Sequence, residues 1–263
     1  MISELEKAIE GQDDWDTHWS DLNEEAEINP AQIYRHKLLV TLIIDLMRDR
    51  PEINTIIDFG SGQGDFLATL VPRIQNCQVF GFELSRVGVE ISRIKTPAAS
   101  FFQHNMLLDA PEISQLRNKG DLCVCSEVLE HLDEPHIFLR NARHYVADQG
   151  FLIATVPSGP MNAFERSIGH RQHFTRESIS SLIQSAGFDV IEVWQAGFPF
   201  FNLYKIAGVV RGDKVRADAE GVGGGGSTQP LRLALGLFSF LFRFNLVNTR
   251  YGWQLVVIAR NLA

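Results

Sequence analysis

The chain has 263 residues with 45% hydrophobic and 10% aromatic content, enough to bury one sizeable core with an elaboration. Its formal net charge of −8 is uneven, with ten Asp/Glu and one Lys in residues 1–30, and eight Lys/Arg against three Asp/Glu in 196–263. The acidic head argues against a general nucleic-acid footprint, which needs clustered positive charge, and Cys77, Cys123 and Cys125 lack the CxxC spacing or even number of a disulfide or zinc framework.

The first residues, "MISELEKAIEGQDDW", lack the basic region and apolar core of a secretory signal, so a reducing cytoplasm is the expected location. Residues 1–30 form an acidic, solvated arm that carries Trp15 and Trp19. The segment "IYRHKLLVTLIIDLM" (33–47) predicts a helix. After it, "TIIDF" reads as a strand, "GDFLATLVPRI" as a helix, "CQVFGFEL" as a strand and "SRVGVEISRIK" as a helix. There follow the short strand "ASFFQHN", a weak helix around 111–118, the strand "DLCVCSE", the helix "EPHIFLRNARHYV" and the strand "GFLIATVP". In "TRESISSLIQSAG", Thr175 is the expected N-cap, Ser178 lies in the first turn and Gly187 ends the helix as a left-handed cap. "FDVIEVWQ" and a late "YGWQLVVIAR" supply the last strands. Strands alternating with helices predict a parallel sheet covered on both faces.

The last two strands are separated by an insertion, 197–250. It contains "GVGGGGSTQ" (221–229), which reads as a flexible linker, and "LRLALGLFSFLFRFNLV" (231–247), an apolar stretch broken by Arg232, Arg243 and Asn245. Its uncharged run, 233–242, falls short of the about 20 residues that span a bilayer. With "FPFFNLYKIAGVVRGDKVR" before it, the insertion reads as a substrate lid, a peripheral membrane element or a dimer contact.

The stretch "DFGSGQGDF" places Gly60, Gly62 and Gly64 on a strand-to-helix turn. A dinucleotide-binding turn needs G-x-G-x-x-G, and Asp65 stands where its third glycine would be. With Glu83 closing the next strand, the pattern instead resembles the class I S-adenosylmethionine-dependent methyltransferases, over roughly residues 35–195 with the last strand near 252–260. The resemblance implies an α/β, Rossmann-like, doubly wound sheet of seven strands, mostly parallel with an antiparallel last strand and the insertion before it. That makes residues 31–263 one methyltransferase domain. It also implies S-adenosylmethionine as cofactor. Asp58, Gly60, Ser61, Gly62 and Gly64 would cradle its methionine part, Glu83 with Leu84 its ribose, and Asn105 and Met106 its adenine. Ser126 completes the set at the end of the fourth strand, Trp15, Trp19 and Tyr34 offer a flap over it, and Arg35 stands near its carboxylate.

A second dense motif is "CSEVLEHLDEP" (125–135), where Glu127, Glu130 and His131 stand at i, i+3 and i+4. On a helical turn all three would project from one face. The wording resembles the ubiquinone-biosynthesis O-methyltransferases and, more loosely, the small-RNA 3′-terminal 2′-O-methyltransferases. That resemblance implies a divalent metal such as Mg²⁺ on Glu127, Glu130 and His131; pocket lining, with His131 as general base, and structural packing stand beside it. In "GHRQHFTRESISSLIQSAGF", His170 and His173 fall on the family's H-x-x-H-F-[ST] segment, which implies a place on the lip above the transferred methyl group, where they would close on the acceptor, abstract its proton or supply further metal ligands; holding the loop against the helix start stands beside these readings. His131, Glu127 and His173 are the expected catalytic residues.

The expected reaction is in-line methyl transfer to a small-molecule or lipid-like acceptor, through an oxygen, since only a protonated hydroxyl needs the base or metal. RNA-terminal methylation is the alternative that the Glu/His cluster favours and the acidic charge disfavours. A catalytically silent methyltransferase-like partner protein is the third reading.

Overall fold

The structure is a computed structural model that describes residues 15–21, 29–108, 111–206 and 229–262. Most of the acidic arm and the 221–228 part of the glycine-rich linker lie outside the described residues.

Seven strands form one sheet: β1 (Thr55–Phe59), β2 (Gln78–Glu83), β3 (Ser100–Gln103), β4 (Gly120–Ser126), β5 (Val146–Pro157), β6 (Phe188–Ala196) and β7 (Gln254–Asn261). Their order is β3-β2-β1-β4-β5-β7-β6, and β7 runs antiparallel to both β5 and β6 while the remaining pairs are parallel. This is the expected doubly wound arrangement. Residues of the central strands alternate between its two cores, as the period of two requires. Ile57, Phe59, Cys123, Cys125, Leu152, Ala154, Leu255 and Val257 face one core, whereas Ile56, Leu122, Val124, Ile153 and Val256 face the other. Both faces are apolar because both are covered by helices.

Eight helices are given labels: α1 (Trp15–Asp21), α2 (Pro30–Asp49), α3 (Asp65–Leu70), α4 (Arg86–Lys95), α5 (Pro135–Arg143), α6 (Ala163–Ser167), α7 (Arg176–Ser185) and α8 (Gln229–Leu241). α2, α3 and α4 cover one face through Leu39, Ile43, Leu67 and Val89; α5 and α7 cover the other through Leu139, Ile179 and Ile183. α2 begins at Asn29, whose side chain accepts from Ala31 N–H, with Pro30 at its first position. Thr175 and Ser178 form a reciprocal capping box on α7, and Gly187 follows at φ +92°. The weak element near 111–118 is a 3₁₀ segment, Pro111–Leu116. All three cysteines are free thiols.

The insertion folds back on α2. A short helix covers 200–206, and Phe201 with Phe242 and Phe238 packs on Tyr34. Tyr34 thus belongs to the insertion's core rather than to a flap over the glycine turn. Asn245 joins the two halves, since its Oδ1 accepts from Phe200 N–H at 2.9 Å and Phe201 N–H at 3.2 Å. Asn245→Ala strips Phe200 N–H at a helix start, while Phe201 N–H keeps its bond to Gly197 O, and is expected to cost about 1 kcal/mol. Limited proteolysis should then cut the insertion faster than in wild type, with the rest of the domain unchanged.

Candidate active site

Strand register brings the motifs together. Phe59 pairs with Phe82 on one side and with Cys125 on the other, so Gly60, Glu83 and Ser126 emerge side by side at the carboxyl edge. The chain departs there in opposite directions from β1 and β4, the switch point where open α/β sheets bind ligands.

At the turn itself Gly60 and Gly62 have φ of +75° and +55°, which L side chains rarely adopt. Gly60 and Ser61 N–H donate to Phe82 O at 2.8 and 3.0 Å, stitching the loop to β2. Glu83 is buried and accepts from Gly62 N–H at 2.7 Å and Ser85 N–H at 2.9 Å. Burial raises its pKa, and those backbone bonds oppose the rise. Two carboxylate oxygens offer about four acceptor sites, so capacity for a ribose diol remains. The Ser61 hydroxyl is buried without a partner beside this loop. A glycine crevice, a carboxylate at its lip and an orphan hydroxyl fit the nucleoside part of a sulfonium cofactor.

Asp58 lies below the turn, and burial followed by the neighbouring Glu83 pushes its pKa up to about 8. A carboxyl whose pKa rises on folding stabilises the fold below its unfolded value near 4 and loses that contribution as pH climbs through about 8. A ligand-free chain should therefore lose melting temperature from about pH 5 to 8, and Asp58→Asn should flatten that decline. An identical slope in the variant would contradict a protonated Asp58.

α1 covers this crevice. A Cβ on Gly62 would lie 2.8 Å from the Trp19 indole, and Trp19 also borders Gly88. Asp16 accepts from the Ser85 hydroxyl at 2.5 Å and from Val87 N–H at 3.3 Å, which anchors α1 to the start of α4. The Trp15 ring stands 5.0 Å from His131. The described part of the acidic arm is thus docked on the domain rather than solvated. Trp19 packs directly on the glycine turn, so Trp19→Ala is expected to speed both association and release of S-adenosylhomocysteine, as stopped-flow fluorescence would read.

The other expected cofactor residues are engaged in local bonds or packing. Asn105 Oδ1 accepts from Leu107 N–H at 3.0 Å, closing its own turn, and Met106 is buried with its carbonyl held by Asn141. Leu84 is half-buried, its carbonyl taking a bond from Gln103, and the Ser126 hydroxyl bonds Thr155 Oγ1 at 2.8 Å.

The Glu127, Glu130 and His131 motif differs from the expected helical face. Glu127 has φ +56°, and only Leu129–His131 form a 3₁₀ turn, so the i, i+3, i+4 geometry does not apply. Left-handed backbone on a non-glycine residue is strained, and such positions gather at functional sites. Glu127 is directed to Gln254 Nε2 at 2.7 Å and Arg35 Nε at 3.7 Å. Arg35 was expected at the cofactor carboxylate. Ligand atoms of Glu130, His131 and His170 lie instead within 4.8 Å of one another, as do those of Glu165, His170 and His173. Glu130 is fully buried with both oxygens unbonded, and burial plus the nearby Glu127 raise its pKa well above the ordinary range.

The histidines form a row. His131 and His170 rings are 4.7 Å apart; His170 Nδ1 lies 3.3 Å from His173 Nε2, and His173 Nδ1 lies 3.0 Å from Gly159 O. A carbonyl only accepts, so His173 carries its proton on Nδ1, and His170 donates from Nδ1 and keeps its lone pair on Nε2. Burial, then the neighbouring histidines, holds His170 down to about 2, and burial also lowers His173, so both rings are neutral at physiological pH. Glu165 and Lys205 complete the wall with a 2.7 Å ion pair. Neither was expected from the sequence. Asn162 and Glu165 do make a reciprocal cap on α6, legible as N-x-x-E, while nothing local signals that Lys205 reaches back.

A family profile described as "Methyltransferase domain" matches residues 31–193. No curated protein matches the chain. Among solved structures, a chain in the complex of the Haloferax volcanii Trm112 methyltransferase activator with a methyltransferase shares 16% identity at a TM-score of 0.52, over 80% of this chain and 83% of that one. The [4+2]-cyclase SpnF shares 18% at 0.53, covering 83% and 79%. Haemonchus contortus phosphoethanolamine N-methyltransferase 2, solved with S-adenosyl-L-methionine, shares 15% at 0.51, covering 80% and 49%. Identities this low describe the fold alone, and the cyclase shows that the fold leaves the reaction open. With more than half its length matched by the family profile, the chain belongs to the methyltransferase-domain family and is an S-adenosylmethionine-dependent methyltransferase.

Proposed function

We propose that the protein methylates an oxygen of a small-molecule or lipid-like acceptor. The observation that carries this reading is the row of three histidines beside the crevice, of which burial keeps His170 and His173 neutral, since a hydroxyl acceptor has to lose a proton and an amine with a free lone pair does not. The cofactor, when bound, supplies the activated methyl group on a sulfonium leaving group. Glu83 and the Gly60–Gly64 loop hold its nucleoside and methionine parts. His131 takes the acceptor's proton, and His170 and His173, fixed in one tautomer by Gly159 O, keep that end of the row neutral. Glu127, held between Arg35 and Gln254, orients the acceptor hydroxyl. The bond from sulfur to carbon breaks as the one from oxygen to carbon forms, so positioning in line supplies most of the rate.

A metal is a second reading, favoured by one observation: the two unbonded oxygens of fully buried Glu130. Glu130, His131 and His170 would hold the ion, and one carboxylate with two imidazoles suits Mn²⁺ or Zn²⁺ better than Mg²⁺, which prefers oxygen ligands. It would supply a Lewis acid that lowers the acceptor's pKa.

Methyl-tritiated cofactor offered to hydroxylated, amine and thiol acceptors tests the proposal. Label transferred to hydroxylated acceptors and lost in His131→Ala supports it; label transferred to amines alone would overturn it. Dependence of the wild-type signal on added Mn²⁺ after EDTA separates the metal reading from the histidine base.

A further inference from the structure

The outer face of the insertion is built unlike the rest of the surface. α8 is apolar on two sides. Phe238 and Phe242 pack inward on Tyr34, Phe201 and Tyr204, while Leu237, Phe240 and, one turn on, Phe244 are 56, 53 and 60% exposed. A surface helix of a globular domain ordinarily turns polar residues outward. The Phe240 and Phe244 rings are 5.5 Å apart. Leu246, two residues on, pairs with Phe198, whose ring lies 5.6 Å from Tyr251, and Leu246, Val247 and Tyr251 are also exposed. Such a run exceeds the single exposed apolar residues that need no explanation.

Arginines flank it, while Asp45 and Glu192 line the groove on its α2 side next to Arg243. Among the described residues of 196–262 there is no Asp or Glu, and Arg243 and Arg250 stand in the exposed apolar run itself. Arg243 and Arg250 are exposed, and the Arg250 guanidinium lies 4.9 Å from the Tyr251 ring. Apolar side chains interleaved with cations match the interface of an anionic bilayer, where the rings enter the headgroup boundary and arginines meet lipid phosphates. Lying on the membrane, rather than crossing it, follows from the 13 residues of α8, and no helix among the described residues is long and apolar enough to span.

We propose that this face docks on bilayers containing anionic phospholipid, with Leu237, Phe240 and Phe244 inserted at the headgroup boundary and Arg243 and Arg250 pairing with phosphates. The inner side of the same insertion delivers Lys205 to Glu165, so docking sets the acceptor site against the membrane. That consequence rests on the proposed function; the docking itself does not.

The test is flotation of the full chain with phosphatidylcholine vesicles and with vesicles containing about 30 mol % phosphatidylglycerol. The chain should float with the anionic vesicles, and at least about tenfold less with the neutral ones or at about 1 M salt, where the Debye length shrinks to about 3 Å. Phe240→Asp with Phe244→Asp, and separately Arg243→Glu with Arg250→Glu, should each cut flotation at least about tenfold. Unchanged melting temperatures would show that the variants fold. A wild-type chain that stays off the anionic vesicles, or variants that float as wild type does, would overturn docking. So would sedimentation showing a dimer that the Phe240/Phe244 variant splits, with no flotation, because a second copy would then cover the face. Flotation without any S-adenosylhomocysteine binding would leave docking standing and remove the proposed function.

Discussion

Glu83→Ala is expected to weaken S-adenosylhomocysteine binding at least about 100-fold, because two ribose hydroxyls lose a charged acceptor and each such bond contributes about 1.5–3 kcal/mol. The same change leaves Gly62 N–H and Ser85 N–H without their partner, so the glycine loop also loses its tie to the start of α4. Both effects act on one ligand site and can be separated. Glu83→Gln keeps an acceptor for one backbone N–H and should restore much of the melting temperature, while leaving cofactor binding weak. A thermal-shift series with and without ligand reads both quantities. Full ligand-induced stabilisation in Glu83→Ala would show that the ribose is held elsewhere.

Phe82→Ala should be the most damaging single core change. Phe82 is fully buried and its ring meets those of Phe59, Phe102, His104 and Tyr145 at centroid distances of 5.0–6.0 Å. Removing a packed aromatic costs about 3–5 kcal/mol, since the site can collapse only in part. In a domain of this size that lowers the melting temperature by roughly 10 °C. Its carbonyl also receives Gly60 and Ser61 N–H, so a shift of β2 would be transmitted to the cofactor loop. Calorimetric melting checks the first effect, and a loss below about 1 kcal/mol would contradict the packing argument.

The sequence made the sheet legible because its strands carry strong local signals. "TIIDF" and "DLCVCSE" are apolar on both faces and flanked by turn residues, which only a strand covered on both sides explains. The glycines and Glu83 were legible for the same reason: their roles depend on their position at strand ends. What escaped reading depends on long-range approach. Glu127 was assigned to a helical face by spacing alone, yet its backbone is left-handed and its carboxylate is drawn to Arg35 and Gln254, 92 and 127 residues away. His170, expected only as a further ligand, takes the place of Glu127 beside Glu130 and His131, and Lys205 enters from the insertion with no local signal. Trp15 and Trp19 were legible as a flap, whereas the anchoring of α1 escaped because an acidic run reads as solvated when the Ser85 and Val87 donors to Asp16 are invisible in one dimension.

Calorimetric titration of the purified wild-type chain with S-adenosylhomocysteine tests the central claim most directly. One site per chain with micromolar affinity, and heat that vanishes in Glu83→Ala, is the predicted result. A folded wild-type chain that releases no heat and shows no thermal shift would contradict cofactor binding at the glycine turn, and would leave a methyltransferase fold serving as a silent partner.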